Sequence, residues 1–349
     1  MQLAVALSGG IDSSAAVWLL QKQGWEVIGV TMHHFADHEL GFDEQEGIEA
    51  VVHQAAKVCK ALNIPHEVIN LQEDFSKTVM QDFTSEYQAG RTPNPCTLCN
   101  RVIKWGKLLD AINDLGIEKM ATGHYIKLKK SQDLYHLYRS SDIRKDQSYM
   151  LWQLRQKQLS KTMFPLAELT KADAKQIIID NQIPVSIHTE SQEICFIKDH
   201  YEDFLKGKIS FEPGDIILPD GELIGRHNGL SLYTIGQRKG LHTELNVPLF
   251  VIGLDTATNQ LIVSSDKDDL LRAEFEINKV NWITEIPEDV SGLMVQIRYN
   301  SPAVEVAELK CLGDAFLVKL QEPVRAVTPG QSAVFYRNDE LLGGGVIAR

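Results

Sequence analysis

The stretch Leu7-Ser8-Gly9-Gly10-Ile11-Asp12-Ser13-Ser14 decides the fold. Before it lies a short apolar run, Leu3 to Leu7, of buried-strand type. After it, Ser13 to Gln23 reads as a helix, with apolar Ala16, Val17, Leu19 and Leu20 and with Gly24 as its cap. Glycines free a backbone to close around an anion. A helix start adds unpaired N–H groups and the positive end of a dipole. Ser8, Ser13 and Ser14 add hydroxyl donors, and Asp12 can hold Mg²⁺ or orient a water. The stretch is neither G-x-G-x-x-G nor a Walker A loop, because no G-K-[ST] closes it. Gly-Gly alone would read as a tight strand-to-helix turn. The three serines and the aspartate after an N-terminal strand favour a phosphate cradle.

Outward from the loop, strand and helix signals alternate. Trp25 to Met32 is β-rich, Gln45 to Leu62 helical, His66 to Leu71 a strand and Phe75 to Gln88 amphipathic. Thr92-Pro93-Asn94-Pro95 reads as loop, Arg101 to Asp114 as helix and Lys119 to His124 as a short strand. Such alternation predicts an α/β domain with a parallel sheet. Past Glu202 short β runs are separated by turns such as Pro219-Asp220-Gly221 and His227-Asn228-Gly229. They include Leu261 to Ser264, Gly292 to Arg298, Val304 to Leu309, Phe316 to Leu320 and Ser332 to Tyr336, the spacing of small β-barrels. At 349 residues the chain exceeds one ordinary domain. The expected division is an α/β domain over 1–205, a small β domain over 206–270 and a β-barrel over 271–349.

Composition sets bounds on function. The chain is 44% hydrophobic and 23% charged, ordinary for a folded protein. Its net charge of −12 disfavours a polyanionic partner at first sight. That charge is uneven. Residues 91–161 hold fourteen Lys or Arg against six Asp or Glu, a local +8, which leaves −20 elsewhere. A basic block in an acidic protein is the footprint expected for a phosphate backbone. No apolar run approaches a membrane span, and the N-terminus lacks signal-peptide features, so a cytoplasmic location is expected, with no membrane partner. The five cysteines are an odd, unevenly spaced set and no disulfide framework.

Cys96 and Cys99 form a C-x-x-C in Asn94-Pro95-Cys96-Thr97-Leu98-Cys99-Asn100, read as a loop just before a helix. A thiol at a helix start is expected to have a lowered pKa. With only one such pair and no H-x₃₋₅-H, structural zinc is not expected. Cys195 lies far along the chain, in Glu190-Ser191-Gln192-Glu193-Ile194-Cys195-Phe196. Cys59 and Cys311 read as small core hydrophobes.

The octet resembles the pyrophosphatase (PP-) loop of the N-type ATP pyrophosphatases, which cleave ATP between the α and β phosphates. The resemblance implies a doubly wound sheet with ATP over the carboxyl ends of its strands. It also implies Mg²⁺ brought by ATP near Asp12, Met32 by the adenine and Gly123 near the ribose or phosphate. Further motifs occur in order: Pro93 to Asn100, Ala121 to Tyr125, Lys145 to Tyr149, Ile194 to Phe196, Tyr233 to Leu241, Ile297 to Tyr299, Ala326 to Gln331 and Gly343 to Gly345. The whole string is similar to the bacterial tRNA-specific 2-thiouridylase family over essentially the full chain.

That likeness implies ATP-dependent 2-thiolation of the wobble uridine (position 34) of tRNA. Leu7, Ser8, Gly9, Gly10, Ile11, Asp12, Ser13 and Ser14 would bind ATP. Cys99 matches the nucleophile and Cys195 the cysteine that receives persulfide sulfur, and the two can form a transient disulfide. Asn94, Pro95 and Cys96 would meet the target base. His124, Lys145, Asp146, Gln147, Arg298, Tyr299 and Gln331 would contact the tRNA, with Lys, Glu and Gln tRNAs as substrates. A relay protein or a cysteine desulfurase would supply sulfur. Two departures stand out. Cys96 replaces an aspartate common in the family and read there as a general acid/base, so Cys96 could take that role, or Cys96, Cys99 and Cys195 could instead hold a [4Fe–4S] cluster. After Leu241 the chain has His242-Thr243-Glu244-Leu245 where many members are glycine-rich. The competing readings are a PP-loop ligase acting on a small molecule and a non-catalytic tRNA-binding PP-loop protein.

Overall fold

The computed structural model describes residues 2–348 except 44, 45, 187–193, 242, 244 and 246. Gln45, Glu190 to Glu193, His242 and Glu244 therefore lie outside the described residues. The N-terminal strands are β1 (Gln2–Ala6), β2 (Glu26–His33), β3 (His66–Asn70), β4 (Met120–Thr122), β5 (Lys127–Ser131), β6 (Leu134–Tyr138) and β7 (Thr162–Met163). Five of them form one parallel sheet in the order β3-β2-β1-β4-β7. Strand order reverses between β1 and β4, so a crevice opens where the chain leaves these two strands.

Side chains alternate across β1. Ala4 faces one core, with Val30, Trp105 and Leu108. Leu3 and Val5 face another, with helices α1 (Ile11–Lys22), α2 (Ile48–Leu62) and α4 (Lys171–Asp180). Helix cover on both faces makes the sheet doubly wound, as the PP-loop resemblance implies. The short helix α3 (Pro95–Cys99) runs on into a π-helical stretch, Asn100–Leu108, and then Leu109–Asp114. Cys96 and Cys99 thus lie within the first turn of a helix, not in a loop ahead of it. Asn94 caps this helix, its Oδ1 accepting from the Cys96 N–H at 3.1 Å, and Pro95 suits the first position because no N–H is needed there.

The central unit is a four-stranded sheet of β8 (Gly214–Ile217), β9 (Leu223–His227), β10 (Phe250–Asp255) and β11 (Gln260–Ser264), in the order β10-β11-β8-β9. The last unit has β12 (Leu271–Trp282), β13 (Leu293–Gln296), β14 (Val304–Leu312), β15 (Ala315–Arg325), β16 (Ser332–Arg337) and β17 (Glu340–Ile347). Pairing of β12 with both β15 and β17 closes these six strands into a barrel.

The β5–β6 hairpin departs from the sequence reading. It belongs to the N-terminal stretch of chain yet pairs with the barrel, Leu137 opposite Leu341 and Tyr138 opposite Glu340. Trp152, fully buried, sits against the Gly343-Gly344-Gly345 run, and a Cβ on Gly344 would come within 2.8 Å of its ring. Cys59 is buried as expected, and burial pushes its thiol up to about 11. Cys311 is not a core residue. It is exposed on β14, its Sγ directed to the Gly313 carbonyl at 3.4 Å.

Candidate active site

The glycine–serine loop is held from below by the sheet. The Leu7 N–H donates to the Val30 carbonyl at 2.8 Å, and the Thr31 hydroxyl to the Leu7 carbonyl at 2.8 Å. Gly9 has φ +70°, and a Cβ there would lie 2.7 Å from the Ala55 nitrogen, so conformation and space both require glycine. Gly10 begins α1 with no side-chain cap, which leaves the helix N–H groups to the crevice. Ser8 and Ser13 share a 3.2 Å hydroxyl contact, and the buried Ser14 Oγ has no partner. Open N–H groups at a helix start suit a phosphate.

Above the loop lies a cleft of about 220 Å³. Leu7 and Ser8 line it from the loop after β1, Asp12 and Ser13 from the start of α1, Met32 and His34 from the end of β2 and just past it, and Gly123 and His124 from just past β4, with Lys104 and Gln147 closing it. Expected ATP residues thus meet here, while Ile11 and Ser14 are turned into the fold. Gly123 permits the closure, since a Cβ would be 2.7 Å from Asp12 C and Ser13 N. The Asp12 carboxylate receives Lys171 Nζ at 2.7 Å on each oxygen and the Tyr125 hydroxyl at 2.7 Å. A phosphate-bound Mg²⁺ would share Asp12 with Lys171. His124 packs with its ring tilted 52° to that of Trp105 and contacts Thr122 Oγ1 at 2.8 Å; burial, then Lys104, holds its pKa well below the usual histidine value.

The cysteines stand beside this cleft. Cys99 is 9% exposed, and its thiol is pushed up to about 11 by burial, with Lys104 pulling the other way. Burial also raises Cys96. The expectation of a lowered thiol pKa at the helix start fails here, because desolvation outweighs the nearby cation. Cys195 keeps an exposed surface, yet the atoms around its thiol make desolvation the largest influence on it, and Cys99 and Cys96 raise its pKa further. Its Sγ lies 3.5 Å from His34 Nε2. The three thiols therefore sense one another and one lysine. Among the described residues no three His, Cys, Asp or Glu side chains converge as ligands of a metal ion.

The residues expected to meet tRNA are engaged within the protein. Asp146 is buried and accepts from Ser140 N at 2.8 Å, with Arg139 at 3.3 Å. Lys145 ends the short turn Ile143–Lys145 just before it. Gln147 accepts from the Tyr125 N–H at 3.0 Å. Arg298 Nη2 reaches the Ile235 and Ala326 carbonyls at 3.0 and 3.2 Å and Thr328 Oγ1 at 2.5 Å. The Tyr299 hydroxyl donates to the Asp146 carbonyl at 3.2 Å, and Gln331 Nε2 to the Thr92 carbonyl at 2.8 Å. Within the basic block Arg91, Lys107, Lys127 and Arg139 are paired with Glu86, Asp74, Glu168 and Asp146. Sequence reasoning missed Lys104, His34 and Lys171, and it held Tyr125 only as the last residue of the Ala121 to Tyr125 motif, with no role of its own. Only Lys104 left a signal, a lysine in the apolar context Val102-Ile103-Lys104-Trp105.

An open helix start at the carboxyl edge of a doubly wound sheet, with thiols at the rim, defines a nucleotide-using enzyme. Family models assign residues 1–199 to the tRNA methyl transferase HUP domain, 202–265 to the tRNA methyl transferase PRC-barrel domain and 272–347 to the aminomethyltransferase β-barrel domain. The chain is 40% identical to the tRNA-specific 2-thiouridylase MnmA of Dehalococcoides mccartyi over 98% of this chain and 96% of that one. It is 42% identical to the same-named proteins of Natranaerobius thermophilus, over 99% and 96%, and Chloroflexus aurantiacus, over 99% and 98%. The chain belongs to the tRNA-specific 2-thiouridylase family.

Proposed function

We propose that this protein uses ATP to convert the wobble uridine (position 34) of tRNA to 2-thiouridine. The observation that carries the reading is Lys104, which lines the nucleotide cleft and also acts electrostatically on Cys96, Cys99 and Cys195. One cation thus faces both the place for phosphate and the place for sulfur. The loop N–H groups and Ser8 and Ser13 would hold the phosphates, and Asp12 the Mg²⁺ that offsets their charge. Uracil O2 attacks the α-phosphorus and pyrophosphate leaves. Activated C2 then takes the terminal sulfur of a Cys195 persulfide while AMP carries off O2. Cys99 attacks the Cys195 sulfur, which breaks the persulfide bond and leaves a Cys99–Cys195 disulfide. An external thiol reduces that disulfide before the next turnover.

To reach the cleft the uridine must leave its stack, and Asn94, Pro95 and Cys96 at the helix start would meet it. The substrates are tRNAs of the Lys, Glu and Gln type, and sulfur comes from a relay protein or a cysteine desulfurase. Among the described residues no helix is long and apolar enough to cross a membrane. A tRNA substrate would put the reaction in the cytoplasm.

Nucleoside mass spectrometry of tRNA incubated with protein, Mg-ATP and a persulfide donor tests this. Wild type should form 2-thiouridine, and Cys99→Ala should reduce it by about a thousandfold or more. No product from wild type, or undiminished product from Cys99→Ala, sinks the assignment. Iron and sulfide in anaerobically purified wild type, absent from Cys96→Ala, would replace the persulfide step with cluster chemistry.

A further inference from the structure

A turn of the C-terminal barrel, Thr328-Pro329-Gly330-Gln331, closes around Thr92. The Thr92 N–H donates to the Pro329 carbonyl at 2.9 Å. Gln331 Nε2 donates to the Thr92 carbonyl at 2.8 Å and the Pro93 carbonyl at 3.4 Å. Gly330 has φ +92°, and a Cβ there would lie 2.8 Å from the Thr92 carbonyl oxygen, so no side chain fits between turn and loop. The central unit adds Thr234, whose hydroxyl meets that of Thr92 at 3.1 Å.

Thr92 begins the segment that becomes the cysteine helix. Pro93 and Pro95 fix their own φ and restrict the residues before them. Residues 92–95 therefore act as a stiff link, and a displacement at Thr92 passes to Pro95 and on to Cys96 and Cys99. The far side of the helix is already tied to the α/β domain, with Asn100 Nδ2 donating to the Met150 carbonyl at 3.0 Å and Gln153 Nε2 to Thr97 Oγ1 at 3.4 Å. The leading end is held from outside, by the barrel turn and Thr234.

We propose that Gln331 is a positioning residue for the cysteine helix, setting the place of Cys99 by gripping the Thr92 and Pro93 carbonyls. Its amide does this within the protein itself, whatever it does toward RNA. The catalytic consequence rests on the thiouridylase reading; the positioning does not.

The test compares wild type with Gln331→Ala and Gln331→Glu, the latter matched in shape but without N–H donors. Circular dichroism first establishes that each variant is folded. Iodoacetamide labelling of Cys99, followed by peptide mass spectrometry without tRNA or ATP, should run about threefold to tenfold faster in both variants, the fold-change one neutral hydrogen bond carries. Thiolation should lose about tenfold or more in kcat, with KM for tRNA within about twofold, because misplacement rather than binding is the defect. Cys99 labelling within about twofold of wild type in both variants overturns the proposal. So does a wild-type rate in Gln331→Glu alone, since a shape-filling role would then suffice. If wild-type protein makes no 2-thiouridine, the functional reading fails while the labelling result still decides the positioning.

Discussion

His34 sits where a charge is costly. Its ring is wedged edge-on against Phe35 and Phe75, both at 4.8 Å, and it is 8% exposed. Burial lowers its pKa from 6.5 to about 4; the hydrogen bond to the Met32 carbonyl opposes this most, Lys104 and His33 add smaller lowering influences, and Asp37 a smaller raising one. Cys195 faces its other nitrogen. The unfolded chain takes up this proton near pH 6.5 and the folded one only near 4. The stability it contributes is complete above pH 6.5 and is lost as pH falls toward 4, by about 3 kcal/mol at most. His66, His124 and His227, each lowered chiefly by desolvation, act in the same direction. Asp82 and Asp146, raised chiefly by burial, oppose it at the acid end. Urea midpoints should therefore fall between pH 7 and 4.5, and His34→Gln should lose clearly less over that interval. Parallel pH curves for the two proteins would refute this account.

At the scale of elements, helix α4 presents Lys171 to Asp12 from its first residue, where the helix dipole is unfavourable to a cation. A capping box steadies it: the Thr170 hydroxyl accepts from the Asp173 N–H at 3.2 Å, and Asp173 Oδ2 accepts from the Thr170 N–H at 2.8 Å. Thr170→Ala should cost about 1 kcal/mol in urea unfolding. It should also weaken ATP binding in calorimetry, because the fraying turn carries Lys171. Unchanged ATP affinity alongside the lost stability would separate the cap from the cleft. This link shows what local pattern misses. The glycine loop, the strands around it and the barrel strands were legible because 2- and 3.6-residue periods and turn residues are local signals. The pairing of β6 with β17 was not, since nothing within Leu134 to Tyr138 names a partner two hundred residues away. Cysteine position was legible from spacing, but the burial that raises these thiols is a property of the assembled core. Arg298, Tyr299 and Gln331 stood out as motifs, whereas their hydrogen bonds between units needed coordinates.

On the scale of the whole molecule, the chain divides into units that share a core. Val334, Tyr336 and Leu341 of the barrel lie in the same apolar cluster as Leu137, Tyr149 and Trp152. Trp152 Nε1 donates to Ser332 Oγ at 3.0 Å, and Asn281 Nδ2 donates to the Trp152 carbonyl at 2.8 Å. A junction built on buried aromatics and continuous β pairing couples the stabilities of the two units, unlike a solvated linker. Gly344 tests this, because its missing Cβ makes room for the Trp152 ring on one side and the Ala333 carbonyl on the other, each at 2.8 Å. Gly344→Ala overpacks the junction, and overpacking costs about 1–3 kcal/mol. Differential scanning calorimetry should show a lowered melting temperature for the α/β domain and the barrel together, although the substitution lies in the barrel alone. Near-ultraviolet circular dichroism should lose its tryptophan signal over the same interval. A barrel transition that shifts while the α/β transition stays in place would show that the two units melt independently across this junction.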